Sequence, residues 1–104
     1  MIHQPGTRVG ALWAANKQLV QLLGYGVYEG DFVPESAAGD IAEVAREIGD
    51  PNPRIRLDNN QVVWGCECWW GPEEEIKQQI KQLESAGAKV LMIDIEEERK
   101  RLGR

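Results

Sequence analysis

The stretch Gln61–Pro72, QVVWGCECWWGP, constrains the fold more than any other, because it holds both cysteines and three of the four tryptophans. At the two-residue period of a strand, Val62, Trp64, Cys66, Cys68 and Trp70 share one unbroken apolar face, which predicts a central core strand. The opposite face carries Val63, Gly65, Glu67 and Trp69, setting a carboxylate beside an indole and above a glycine. A mixed face of this kind is where a site is expected. The two thiols are expected to be buried and free. Neighbours at i and i+2 of an extended strand bridge poorly, and Cys-x-Cys with the distant His3 falls short of the four ligands of structural zinc. No metal and no cofactor are expected.

A chain of 104 residues has room for one hydrophobic core. A single α+β domain is expected over residues 1–98, with a charged, solvated tail at 99–104. The apolar stretch Val9–Val27 is interrupted by Asn16, Lys17, Gln18 and Gln21, so a membrane span is not expected and a cytoplasmic location is. The net charge of −5 argues against duplex nucleic acid, whose phosphates require a basic face.

Alternation predicts a strand over Thr7–Ala15 and, after a turn at Asn16-Lys17, a second over Gln18–Glu29, forming an antiparallel hairpin. Within the second strand Gly24, Gly26 and Tyr28 share one face, and Tyr25, Val27 and Glu29 the other. Two readings stand: the glycines floor a shallow pocket flanked by Tyr25 and Tyr28, or they bend a hairpin whose tyrosine rings cover them. A capping pair, Asp40 and Glu43, opens a helix with an apolar stripe at Ile41, Val44, Ala45 and Ile48, which Gly49 ends. A short third strand, Arg54–Leu57, faces Arg54 and Arg56 outward, within reach of the Glu67 face of the central strand. Pro72 and Glu73–Glu75 open a second helix with Ile76, Ile80 and Leu83 inward. Lys89–Glu96, apolar on both faces, predicts a last strand inside the sheet.

The order ββαββαβ predicts an α+β fold with a mostly antiparallel five-stranded sheet and both helices on one face. The other face, with Trp69, Val63, Tyr25 and Trp13, is too apolar to stay bare, which predicts a homo-oligomer or a partner-binding surface.

The phrases GYGVYEGD (Gly24–Asp31) and VWGCECWWGPEEE (Val63–Glu75), with PNPRIRLD before the second, resemble those of small uncharacterised proteins of bacteria and their phages. That resemblance brings no established activity and no catalytic residues. It implies a short mobile-element protein that blocks or sequesters a host component. Strand alternation sends Cys66 and Cys68 away from Glu67 unless a bulge at Gly65 reverses the phase, so binding is favoured over catalysis. The expected function is non-catalytic capture of a small ligand, a nucleotide or nucleotide-derived signal, by a homo-oligomer. The expected site is Tyr25, Tyr28, Trp69 and Glu67, with Arg54 and Arg56 for an anionic group. The alternatives are an inhibitor or adaptor that meets a host protein through an aromatic, acidic face, and a small enzyme using Glu67 as general base.

Overall fold

The computed structural model describes residues 4–34, 47–49 and 51–101. The expected first helix lies outside these residues, apart from its end at 47–49. The described elements are β1 (Arg8–Ala15), β2 (Leu19–Phe32), β3 (Asn52–Leu57), β4 (Val62–Trp64), a 3-10 turn (Gly65–Glu67), β5 (Trp69–Pro72), α1 (Glu73–Ser85), β6 (Lys89–Met92) and α2 (Ile95–Arg101). The fold is α+β, and the sheet is antiparallel except for one parallel pair.

The long strand β2 is the spine. One edge takes β1; the other takes β3 along Gly26–Phe32 and β6 along Leu19–Leu22. Register shifts at Leu23 and Glu29, beside Gly24 (φ 138°) and Gly30 (φ 120°), let so long a strand bend. Gly26 is needed for a different reason. A Cβ there would strike the Arg56 carbonyl oxygen and lie 2.7 Å from Leu57 Cα, so β3 crosses directly against its backbone.

The sequence pattern predicts one strand over Gln61–Pro72 at the centre of the sheet; the structure instead splits it into two edge strands. In the order β4-β3-β2-β1-β5, β4 and β5 stand at opposite ends, yet only Gly65–Cys68 joins them. In a flat sheet four spacings of ~4.8 Å would hold these ends about 19 Å apart. A link containing a 3-10 turn, which rises only about 2 Å per residue, does not span that distance easily. The sheet curls, and its ends approach. Tyr28 of β2 and Trp70 of β5 then stack across the interior, with centroids 5.4 Å apart.

Curling separates the core into an inside and an outside. Val9, Ala11, Leu23, Tyr28, Ile55, Leu57 and Val63 fill the inside, with Cys68 and Trp70 against them and Ile95 of α2 inserted among them. Outside, Ile76 and Ile80 of α1 cover Leu12, Val20 and Leu22. Of the four residues placed on the helix-free face, three are therefore covered by the chain itself, while Trp69 stays 66% exposed. Val63 is fully buried, Trp13 packs on the inner cluster, and Tyr25 packs with the outer one. The last strand is also corrected. It ends at Met92, because Asp94 caps the N-terminus of α2 through the backbone N–H groups of Glu96 and Glu97, and among the described residues it pairs with β2 and forms an edge.

Candidate functional site

The break in the central stretch is held by Glu67. Its Oε1 accepts from the Trp64 backbone N–H at 3.0 Å, folding the side chain back over the turn. The Arg99 guanidinium then takes both oxygens, Nε to Oε2 at 2.9 Å and a terminal nitrogen to Oε1 at 2.7 Å, and also donates to the Val62 carbonyl at 3.0 Å. The two side chains are 4% and 14% exposed. Gly65 is packed so closely that a Cβ would lie 2.8 Å from the Pro53 ring and 2.9 Å from Trp70 Nε1. Glu67 is thus a clamp between the turn and α2, accepting three hydrogen bonds, two at Oε1 and one at Oε2. Arg99, expected in a solvated tail, is the other half of that clamp.

The remaining expected site residues do not converge. Arg54 and Arg56 share Glu29, Nε to oxygen at 2.9 and 3.0 Å, and Arg54 lies 3.9 Å over the Phe32 ring. Their carboxylate partner is Glu29, across the β2–β3 ladder, and not Glu67. Burial would raise the Glu29 carboxyl, but Arg56 and Arg54 outweigh it and hold the pKa below the usual range. Tyr28 is inside the curled sheet and donates to Asp31 Oδ1 at 2.6 Å. Tyr25 lies on the outer face beneath Lys77. Gly24 and Tyr25 line a hollow of about 260 Å3 with Leu57 and Met92, while the space beside Gly26 is filled by β3.

Trp69 is the expected site residue that stands open, at 66% exposure. The β1–β5 ladder stops at the Leu12–Trp69 pair, although β1 continues along β2 to Ala15. The chain turns away there into the 3-10 turn and leaves a cleft of about 640 Å3. Trp13, Ala14 and Ala15 form one wall, Cys66 to Trp69 the other, and Gln79 of α1 lies at its border. Among the described residues, neither cysteine is joined in a disulfide. Burial, with the Glu67 charge adding to it, pushes the Cys68 thiol up to about 12, so Cys68 is no thiolate at neutral pH. Among the described residues, no arginine or lysine lines the cleft.

Nothing in the spacing of the sequence marks Trp13–Ala15 as a cleft wall, because that role depends on where β5 ends. Among the described residues no group of three or more His, Cys, Asp or Glu side chains is placed to hold a metal ion, and no helix is long and apolar enough to cross a membrane. No family model, no curated protein and no solved structure matches the chain.

Proposed function

We propose that this protein is a non-catalytic capture protein that holds a small ring-bearing ligand, of the nucleotide or nucleotide-derived class, in the cleft beside Trp69. The observation that carries this reading is an open indole at the rim of the larger described cleft, where a flat ring gains stacking without first displacing a protein neighbour. The Gln79 amide and the β1 backbone beyond Leu12 supply donors and acceptors for the ring edge. Because no cationic side chain among the described residues lines the cleft, the ring is the recognised part and any phosphate is directed to solvent. Sequestration of such a compound is one form of the role that the resemblance to small phage and bacterial proteins implies, a binder that blocks or sequesters a host component. Native mass spectrometry of protein purified gently from cells tests it. A small extra mass, released on denaturation and lost in Trp69→Ala, is the expected result; a bare polypeptide mass under all gentle conditions contradicts it.

A second reading rests on the same cleft. Ala14 and Ala15 pair with β2 on one side, and among the described residues no strand pairs with Trp13–Ala15 on the other. An extended segment of a host protein adds there as a strand, with Trp69 as its anchor. Capture of that protein in pull-downs, weakened by salt and indifferent to small molecules, distinguishes this reading from the first.

A further inference from the structure

Among the described residues, no strand pairs with the outer edge of β6. Its ladder with β2 runs from Leu19↔Lys89 to Leu22↔Met92, and the backbone N–H groups of Lys89 and Ile93 donate to the Gln18 and Leu22 carbonyls at 3.0 Å. In a parallel ladder, residues that bond one neighbour recur at every second position. Lys89, Leu91 and Ile93 therefore address β2, while Val90 and Met92 turn their N–H and C=O groups outward. Among the described residues, β2 is the strand that pairs with β6. Proteins ordinarily blunt such an edge with proline, a bulge or an inward-pointing charge. The segment KVLM has no proline, and its one charge is at its first residue. Leu91 and Met92, on opposite faces of the strand, are 51% and 63% exposed.

We propose that a second copy of this chain pairs with β6, antiparallel about a two-fold axis at Leu91, giving a homodimer with one sheet continuous across both protomers. The outward backbone groups permit this register, and centring it on Leu91 uses those of both Val90 and Met92. Val90 of one protomer exchanges both hydrogen bonds with Met92 of its partner, and the axis repeats the exchange. Leu91 then faces its own copy in a non-hydrogen-bonded pair, where opposing side chains come closest. Leu91 thus gains its own copy as a neighbour on one face of the sheet, and Met92 gains the partner's Val90 on the other.

The charges at the strand ends agree with the same arrangement. Antiparallel apposition brings Lys89 of each protomer to the Ile93-Asp94 end of the other. The Gln61 amide, with the Glu97 and Glu96 backbone N–H groups, holds the Asp94 carboxyl below its ordinary range and hence ionised at neutral pH. A strand that is its own complement closes after two copies, so a dimer is expected and not a filament. This interface is independent of ligand capture at Trp69, and each stands or falls alone.

Light scattering after size exclusion tests it, on the wild type and on Leu91→Lys and Leu91→Glu. Because Leu91 is half-exposed, neither variant removes a core contact, and far-UV circular dichroism checks that both fold. The wild type is expected at twice the 11.7 kDa protomer mass. Each variant alone is expected as a monomer, since like charges then meet at the axis, and an equimolar mixture as a dimer, since lysine meets glutamate. A monomeric wild type, dimers that survive both substitutions, or a mixture that stays monomeric overturns the proposal.

Discussion

Glu67 and Arg99 lie 32 residues apart, and their bidentate pair fastens α2 across the place where the ends of the sheet approach. Both side chains are largely withdrawn from water, so removing one strands the other in a poor environment. Arg99→Ala is expected to cost about 3 kcal/mol or more in urea unfolding; a loss near zero would show that the pair is incidental to closure. Cys68 tests the same burial by reactivity. With its thiol held up to about 12, it is expected to resist alkylation at pH 8 in the folded protein and to react once unfolded. Equal labelling rates in the two states would contradict the packing described. The identity of these residues as important was legible in the sequence, because the density of cysteine and tryptophan around Glu67 is unusual. Their roles were not. A carboxylate read at strand period points outward; the same carboxylate in a 3-10 turn reaches back to a backbone N–H, and its partner comes from the far end of the chain.

At the scale of elements, the hairpin of β1 and β2, the third strand and α1 were all legible, since each depends on local alternation, turn residues or a helix start. Three features were not, and each has a non-local cause. The break at Gly65 requires Pro53 and Trp70 against the glycine, contacts that no periodicity encodes. The end of β6 at Met92 is decided by Asp94 as a helix cap, which competes with the β-branched residues around it. The choice between a glycine-floored pocket and a bent hairpin is settled differently at the two glycines, because β3 covers Gly26 and leaves Gly24 beside a hollow. Gly26→Ala is accordingly expected to destabilise by about 1–3 kcal/mol through overpacking against β3. Gly87→Ala at the end of α1 is the control: it meets nothing within 4 Å and carries only the strain of φ 104°. If Gly26→Ala were neutral, β3 would not approach as closely as described.

For the whole molecule, the surface is acidic but its carboxylates are organised. Arg8 joins Asp58 at 2.7 Å and Glu73 at 2.8 Å, linking β1, the turn after β3 and the start of α1. The hydrogen bonds from Arg8, with Lys77 adding at Glu73, hold Asp58 and Glu73 below their ordinary values of 3.8 and 4.5. A carboxylate depressed in the folded state contributes stability above its unfolded pKa and loses that contribution as pH falls through the folded one. The thermal midpoint is therefore expected to drop on acidification below about pH 4.5. Scanning calorimetry from pH 6 to pH 3 checks this, and a midpoint that held or rose over that range would contradict it. The fold class was readable from the order of elements. The site was readable only as the neighbourhood of Trp69, because Tyr25 and Tyr28 lie on opposite faces of β2 and Arg54 and Arg56 are held away from it by Glu29. That scattering gives the most direct test of the capture account: the dissociation constant of the compound released from the native protein, measured by isothermal titration for the wild type, Trp69→Ala and Arg56→Ala. Loss of one stacking contact predicts about tenfold weaker binding in Trp69→Ala, with Arg56→Ala equal to the wild type. Weakening in Arg56→Ala with Trp69→Ala unchanged would place the ligand away from the cleft and contradict the account.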